Sequence, residues 1–381
     1  MRSKRIIAAT LLAGLVSGLF ASGTAEAGER HRPDHDGTHA VFVQTNKPSG
    51  NTIVVYDREK DGDLRRVREV RTGGLGGATL GPPVDALASQ GSLIFQNDLL
   101  FAVNAGSNTV TLFRVKGDRL ERLQVIGSGG LLPVSIAVRE DLVYVLNAGG
   151  AGAVQGYRLE KNKRLVPITG AHRSLGLNNT NPPAFATSPA QVGISPDGHF
   201  VLVSTKTLNI IFTFAIGRSG QLARQPIANT DEGGPFGFTF DTRGKLVVSE
   251  TTANAATRFR LLPNGRLAQI GPSVPNGQTA SCWIQRVGRF FYVANAGTST
   301  ISSYTIDSRG NLVLLAAVAA ATGGGSIDMT TSGGFLYVQN AAAGNVQGYK
   351  VNRNGSLTLV TTVTGLPQFA NGIGMEGIAA S

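Results

Sequence analysis

The chain has 381 residues, of which 50 are glycine and 16 proline, and 41% of it is hydrophobic against 15% charged. A disordered chain would have few hydrophobic and many charged residues, and a disulfide scaffold would need more than the single cysteine, Cys282, so both classes are excluded. The formal charge of +11 is compatible with binding to polyanions of a cell envelope. No basic block interleaved with aromatic residues indicates nucleic-acid binding.

The first 27 residues have the pattern of a secretory signal peptide. A basic start is followed by an apolar run from Ile6 to Phe20, and small residues precede a cleavage point before Gly28. The apolar run is too short for a membrane span, and no later segment is long enough for one. We therefore predict a secreted protein without a membrane span. Residues 28–39 form a polar lead-in, whose three histidines we interpret as a flexible solvated tail.

A short phrase recurs along the remaining chain, residues 40–381. It reads Phe-Ala-Val-Asn-Ala-Gly at 101–106, and close variants begin at Tyr144, Tyr292 and Tyr337. Three weaker copies complete a set of seven, most of them about 45 residues apart. The aligned last positions of the seven phrases are Thr45, Asn104, Asn147, Thr205, Glu250, Asn295 and Asn340.

After the first repeat, each repeat contains signals for four antiparallel strands, with turns such as Asn-Gly or Arg-Gly between them. The outermost strands are predicted to begin near Leu120, Leu165, Leu222, Leu267, Leu312 and Leu357. Four strands every 45 residues or so are typical of a propeller blade. The first repeat has only three strands, and a strand-like segment at 371–379 follows the last repeat. The sequence thus predicts an all-β fold: a single seven-bladed β-propeller domain whose C-terminal strand pairs into blade 1 and closes the ring.

Two long spacings mark insertions, at residues 73–83 and 170–189. Both connect the outer strand of one blade to the inner strand of the next, and this connection shares a rim with the turn after each recurring phrase. We therefore expect the insertions, including His172 and Arg173, to lie beside the seven aligned positions at one mouth of the central channel. Loops on a rigid rim often carry function.

Glu250 differs from the other aligned positions because it is the only carboxylate among them. It is a candidate general acid or base, and His172 or Arg173 is a candidate partner for a developing carboxylate. The remaining polar positions are candidates for ligand binding: Asn104, Asn147, Asn295, Asn340 and Thr205. Asparagine also favours turns for purely structural reasons. Cys282 has no histidine that can be placed beside it, so we interpret it as a packed core thiol.

The phrases at 101–106 and 292–297, together with Ser-Pro-Asp-Gly-His-Phe-Val at 195–201, resemble the seven-bladed lactonase family. That family includes propeller-type 6-phosphogluconolactonases and fungal carboxymuconate cyclases. The resemblance implies a catalytic-type glutamate at Glu250. A family Pro-His-x-His phrase is absent from 187–192, and a family basic residue is absent from 207–211.

Three functions remain open on this evidence. The first is a secreted lactonase that opens or closes a small lactone without an organic cofactor, with Glu250 as acid or base. The second is a non-catalytic binding or scaffold propeller of the cell envelope. The third is a calcium-dependent, gluconolactonase-like hydrolase in which Glu250 and the amide oxygens of Asn104, Asn147 or Asn295 bind Ca²⁺. In each case we expect a monomer and a small lactone or carboxylate ligand.

Overall fold

The computed structural model describes residues 39–381. The predicted signal peptide and all but the last residue of the polar lead-in lie outside the described residues. The described chain forms seven antiparallel sheets. Its helical content is two short 3₁₀ turns, Ala105–Ser107 and Lys206–Leu208, and no helix in residues 39–381 has the length and apolarity needed to cross a bilayer.

The sheets follow one another along the chain as blades. Blade 1 contains β1 (His39–Gln44), β2 (Thr52–Arg58) and β3 (Leu64–Arg71), and blade 2 contains β4 (Leu93–Gln96), β5 (Leu99–Asn104), β6 (Thr109–Lys116) and β7 (Arg119–Gly127). Blade 3 contains β8 (Pro133–Arg139), β9 (Leu142–Asn147), β10 (Ala153–Leu159) and β11 (Leu165–Ser174), and blade 4 contains β12 (Gln191–Ile194), β13 (Phe200–Ser204), β14 (Ile210–Ala215) and β15 (Ile227–Thr230).

Blade 5 contains β16 (Pro235–Phe240), β17 (Leu246–Glu250), β18 (Ala255–Leu261), β19 (Leu267–Gln269) and β20 (Val274–Pro275). Blade 6 contains β21 (Ser281–Val287), β22 (Phe290–Asn295), β23 (Thr300–Ile306) and β24 (Leu312–Ala321). Blade 7 contains β25 (Ser326–Ser332), β26 (Phe335–Asn340), β27 (Asn345–Val351) and β28 (Leu357–Val363), and the last strand is β29 (Ile378–Ala380). The prediction of seven blades is confirmed.

Ring closure is also confirmed. Strand β29 pairs antiparallel with β1, so that Phe42 lies opposite Ala379 and blade 1 gains its innermost strand from the C-terminal end of the chain. The innermost strands contact one another all the way round, from β29 through β4, β8, β12, β16, β21 and β25 back to β29. Every blade therefore has a neighbour on both faces, which is how a four-stranded sheet buries both of its sides.

Tyrosines on the second strands join neighbouring blades. The hydroxyl of Tyr144 donates to the carbonyl of Gly220 at 2.7 Å, and those of Tyr292 and Tyr337 donate to Gly355 and Gly62, each at 2.9 Å. Each acceptor lies in the hairpin between the third and fourth strands of the next blade. The rings thus bury their apolar area between blades while their hydroxyl groups stay hydrogen-bonded.

The outer strands of blades 4 and 5 depart from the prediction. In blade 4, Leu222 forms only an isolated bridge with Ile216, and β15 begins at Ile227, so the expected start at Leu222 is wrong. Pro226, which has no N–H to donate to a sheet, directly precedes the observed start. In blade 5 the outer edge is divided between β19 and β20, which both pair with β18.

Candidate functional site

The centre of the ring is filled by residues 85–91, which we call the axial plug. The side-chain amide of Gln90 donates to the carbonyl of Ile284 at 3.1 Å, and its oxygen accepts from the Ile284 N–H at 2.9 Å. The Ser89 hydroxyl donates to the carbonyl of Val134 at 2.8 Å. Every plug residue is buried. The plug therefore binds inner strands on different sides of the ring and blocks the channel.

The two insertions meet over the plug. The N–H of Leu80 donates to the carbonyl of Pro183 at 2.8 Å, and the N–H of Phe185 donates to the carbonyl of Leu80 at 2.9 Å. The expectation that the insertions share one rim is thus confirmed. This rim carries the recurring Asn phrases, and the insertions cover it.

A buried charged cluster lies where the plug and the insertions meet. The ammonium nitrogen of Lys206 donates to the carbonyl of Ala88 and to the hydroxyl of Ser188, both at 2.8 Å. It also lies 5.3 Å and 5.4 Å from the ring centres of Phe185 and Phe236. Lys206 is 2% exposed, and this burial lowers its pKa to about 7, while the nearby Asp85 carboxyl group acts in the opposite direction.

Two carboxyl groups complete this cluster. Asp85 and Glu376 both accept from the N–H of Leu87, at 3.1 Å and 2.9 Å. Burial raises the pKa of Asp85, and burial together with the charge of Asp85 raises the pKa of Glu376 well above its usual value. Asp85 and Glu376 are adjacent and buried, and Lys206 acts on Asp85, so the carboxyl pair holds a proton at pH values where exposed carboxyl groups would have lost it.

An open cavity of about 360 Å³ lies on the other side of the plug. We call it the axial cavity. Inner strands of all seven blades line it, and Gln90 and Gly91 of the plug contribute to its wall. It lies toward the rim formed by the hairpins between first and second strands, which is opposite to the rim of the Asn phrases. The axial cavity therefore opens at the rim opposite to the one that the sequence analysis favoured.

Asp328 is the one ionisable side chain among the residues lining the axial cavity. Its carboxyl oxygens accept from the N–H groups of Met329 at 2.9 Å and Gly91 at 3.4 Å. Burial raises its pKa to about 7, and the charge of Asp85 contributes in the same direction. A carboxyl group with this pKa can both take and return a proton near neutral pH.

Hydrogen-bond donors are also present in the axial cavity. Four polar side chains line it without a side-chain hydrogen bond to any other described residue; they are Gln96, Thr239, Gln285 and Thr330. Amide and hydroxyl groups that are not already engaged can donate to a ligand oxygen. The cavity thus combines one titratable carboxyl group with neutral donors in a wall that presents both polar and apolar surface.

The aligned asparagines are buried between blades, away from the axial cavity. Asn104, Asn147, Asn295, Asn340 and Thr205 are each 0% exposed. The oxygen of Asn104 accepts from Asn51 and Thr72, and that of Asn295 accepts from Asn276 and Ser281. The Thr205 hydroxyl donates to the carbonyl of Ile210 in its own turn. The contacts of Asn104 with Thr72 and of Asn295 with Asn276 join the end of a second strand to the connection that leads into the same blade.

The hydrogen bonds of these asparagines determine which amide oxygens are free to bind Ca²⁺. The amide oxygens of Asn104 and Asn295 already accept two hydrogen bonds each, whereas those of Asn147 and Asn340 are buried without a partner. Within residues 39–381, no group of three or more His, Cys, Asp or Glu side chains has the geometry to hold a metal ion.

Glu250 ends β17 and is 2% exposed. Its carboxylate accepts a hydrogen bond from the Ser273 hydroxyl, and Gly233 lies so close that a Cβ there would be 2.4 Å from the Glu250 carboxyl carbon. Asp231 lies beside it, and burial and the charge of Glu250 raise the pKa of Asp231 to about 7. Glu250 therefore belongs to a buried carboxyl pair between blades 4 and 5 and does not line the axial cavity.

His172 and Arg173 lie in an outer strand. The expectation that they belong to a loop is wrong, because β11 continues to Ser174 and pairs them with Gln155 and Val154 of β10. The Arg173 guanidinium donates to the carbonyls of Ala223, at 2.7 Å, and of Leu222, while His172 is exposed. No contact within the described chain joins either residue to Glu250.

Sequence reasoning missed Lys206 and Asp328. Lys206 directly precedes the stretch in which the family's basic residue was sought, and its φ of 49° is unusual for a residue with a side chain. Asp328 could have been singled out from the sequence, because it is a carboxylate within the innermost strand Ser326–Ser332. Cys282, by contrast, is buried as predicted, and burial raises the pKa of its thiol to about 12.

Comparison with known proteins assigns the chain to a family. The sequence pattern described as "Lactonase, 7-bladed beta-propeller" matches residues 164–283 and 256–369. Those ranges cover more than half of the chain, and the chain belongs to this lactonase family. Family membership supports an enzyme of the lactonase or cycloisomerase type. A comparison with curated protein sequences gives no significant match.

Solved structures show the same architecture. A protein from Lactobacillus plantarum aligns with a TM-score of 0.69 and 18% identity, over 90% of this chain and 98% of its own. The periplasmic gluconolactonase of Pseudomonas aeruginosa aligns with a TM-score of 0.69 and 18% identity, over 87% and 98%. A candidate 6-phosphogluconolactonase of Bacteroides fragilis gives 0.67 and 16%, over 87% and 97%. At these identities the likeness is one of fold.

Proposed function

We propose that this protein opens or closes a small lactone in the axial cavity, with Asp328 as the acid and base. The observation that supports this site most strongly is the position of Asp328. It is the ionisable group in the cavity wall, and burial raises its pKa to about 7. General acid and base catalysis is most efficient when the pKa of the catalytic group lies near the working pH.

In the hydrolytic direction, the Asp328 carboxylate takes a proton from a water molecule as the water oxygen bonds to the lactone carbonyl carbon. The bond between that carbon and the ring oxygen then breaks, and Asp328 returns the proton to the departing ring oxygen. The product is an open hydroxy acid. In this mechanism Gln285 and Thr330, which line the cavity, donate hydrogen bonds that stabilise the negative charge on the carbonyl oxygen. Ring closure follows the same steps in reverse.

Glu250 remains a second candidate for the acid or base. The observation that favours it is its pairing with Asp231, because two adjacent carboxyl groups cannot both ionise easily and one of them keeps a proton near neutral pH. In this alternative, His172 and Arg173 would need to approach from the outer strand of blade 3 to act on the substrate.

The experiment is an assay of the purified protein with a panel of sugar lactones and hydroxy acids. We expect Asp328→Asn to lose at least ~100-fold in kcat/KM, as is typical for removal of a general base. Asp61→Asn, at an exposed aspartate in a hairpin of blade 1, is the matched control and should keep full activity. Loss of activity in Glu250→Gln but not in Asp328→Asn would identify Glu250, and not Asp328, as the acid or base. An inactive wild-type protein would favour the binding or scaffold function.

The same assay tests the role of metal. We propose that the reaction needs no cofactor, so activity should survive dialysis against a chelator. Calcium at millimolar excess should leave the melting temperature unchanged, since a ligand that binds the folded state raises it. A chelator-sensitive activity restored by calcium would support the calcium-dependent hydrolase instead.

We further propose that the protein is exported and that its lactone is extracellular. The support is the basic start and apolar run of residues 1–27. Expression of the full chain in a secreting host should give a mature protein in the exported fraction whose N-terminal sequence begins at Gly28. Retention of Met1 on protein that stays inside the cell would contradict this proposal.

A further inference from the structure

A second cavity, of about 250 Å³, lies between blades 5 and 6 on the same rim as the axial cavity. We call it the arginine cleft. Four arginines line it, together with two aspartates; they are Arg243, Arg258, Arg286, Arg289, Asp241 and Asp307. The cleft is separate from the axial cavity but adjacent to it, because Phe240 and Gln285 line the cavity while the residues that follow them line the cleft.

Both carboxylates of the cleft are already engaged. Asp241 forms a salt bridge with Arg258, and these side chains are only 4% and 5% exposed. Asp307 accepts from the N–H groups of Arg309 and Asn311, at 2.9 Å and 2.8 Å, and hydrogen bonds of this kind lower its pKa. Asp241 is therefore committed to Arg258, whereas Asp307 keeps a negative charge that offsets part of the remaining positive charge. The four arginines still exceed the two carboxylates of the cleft by two.

Those three guanidinium groups have only neutral contacts. Arg286 donates to the carbonyl of Gly288 at 2.8 Å, and Arg289 donates to the carbonyl of Arg353 at 3.3 Å and lies 4.9 Å from the ring centre of Phe290. Arg243 makes no side-chain hydrogen bond to a described residue. None of the three forms a salt bridge within residues 39–381. Three like charges around one small cleft repel each other, and an anion would relieve that repulsion.

The corresponding cleft between blades 2 and 3 shows that this charge is not a general property of the joint between blades. It has a similar volume, about 230 Å³, but its charged lining residues are Glu140, Asp141, Glu160, Lys161 and Lys163. Here carboxylates outnumber cations. The excess of arginine in the cleft between blades 5 and 6 is thus not shared by the cleft between blades 2 and 3.

We propose that the arginine cleft is a binding site for a multiply charged oxyanion, a phosphate or sulfate group, held by Arg243, Arg286 and Arg289. Guanidinium groups present planar pairs of donors that match the oxygens of such anions, and they stay charged at every physiological pH. The buried salt bridge between Arg258 and Asp241 forms part of the cleft wall. The phosphate or sulfate group can belong to a free small molecule or to a charged polymer, and the guanidinium groups would bind it in the same way. This inference does not depend on lactone chemistry.

The test compares two triple variants of equal net charge. One replaces the cleft arginines, Arg243→Gln, Arg286→Gln and Arg289→Gln; the other replaces exposed arginines of blades 2, 3 and 4, Arg119→Gln, Arg164→Gln and Arg224→Gln. Inorganic pyrophosphate, titrated by calorimetry at low salt, represents the free ligand. A heparin column represents the polymer, and the salt concentration at elution is the readout.

We expect the cleft variant to bind pyrophosphate at least ~10-fold more weakly than the wild type, or to elute from heparin at distinctly lower salt, with little change in the control variant. Pyrophosphate binding assigns the site to a free oxyanion, and retention on heparin alone assigns it to a polymer. Equal losses in both triple variants, or a wild-type protein that binds neither probe, would overturn the proposal. Arg243→Gln alone removes no intramolecular hydrogen bond, so it separates loss of binding from loss of folding.

Discussion

The buried carboxyl pair of Asp231 and Glu250 predicts the direction in which stability changes with pH. The pKa of Asp231 is raised to about 7 in the folded protein, whereas an exposed aspartate has a pKa of about 3.9. Between these values the folded state keeps a proton that the unfolded state has released. The contribution of Asp231 to the free energy of unfolding therefore falls as the pH rises from about 4 to about 7.

Asp231→Asn should reduce this pH dependence, because an amide carries no proton to lose. Urea denaturation at pH 4.5 and at pH 7.5 measures it, and the decrease in unfolding free energy between the two should be smaller in the variant than in the wild type. Asp61→Asn, at an exposed position, should behave like the wild type. An unchanged decrease in Asp231→Asn would show that Asp231 is ionised in the folded protein.

Lys206 is the residue on which the plug and the second insertion both depend. Lys206→Met keeps most of the side-chain length but removes the bonds to Ala88 and Ser188 and leaves Asp85 without its cation. We expect the free energy of unfolding at pH 7 to fall by about 3 kcal/mol, as when one member of a buried polar pair is removed. Chemical denaturation measures this, with the exposed Lys161→Met as the control. A loss equal to that of the control would mean that the ammonium group is not held in the cluster.

Trp283 of β21 contacts the axial plug and can report on its position. Trp283 is the only tryptophan of the chain, and its indole N–H donates to the plug carbonyl of Ser89 at 2.8 Å. Gln90→Met removes both hydrogen bonds to Ile284 and should cost about 2 kcal/mol of stability, because it leaves buried backbone groups unpaired. We also expect acrylamide to quench Trp283 fluorescence more readily in this variant. Quenching and stability equal to those of the wild type would contradict the role of Gln90 as the plug anchor.

The strands were predictable from sequence and the plug was not. Alternating strands that end in a repeated phrase recur seven times, so their positions reinforce one another. Residues 85–91 occur once and have no periodicity, and their burial depends on bonds to blades far away in sequence, such as Val134 and Ile284. The length of β11 was equally hidden, because the four residues 171–174 that continue it carry no strand signal of their own. The candidate mouth was therefore placed on the rim that the insertions cover.

Closure of the ring is a property of the whole molecule. Deletion of residues 378–381 removes β29, exposes the edge of β1 and empties the space of Ile378, which is 3% exposed. We expect a loss of about 5 kcal/mol and a fall in melting temperature of about 10 °C. Deletion of Ser381 alone is the control, since it removes the bonds to Ala40 and the one that the Ser332 hydroxyl donates to the Ser381 carbonyl, and leaves the strand pairing. Equal melting temperatures for the two deletions would show that β29 does not close the ring.

The central claim is that the axial cavity is the site of chemistry, and the pH dependence of kcat/KM for lactone turnover tests it most directly. The profile should be measured from pH 5 to pH 8.5, with spontaneous hydrolysis subtracted at each point. We predict an inflection near pH 7, where the Asp328 carboxyl group titrates, and its disappearance together with most of the rate in Asp328→Asn. A profile in Asp328→Asn that matches the wild type in both height and shape would contradict the claim.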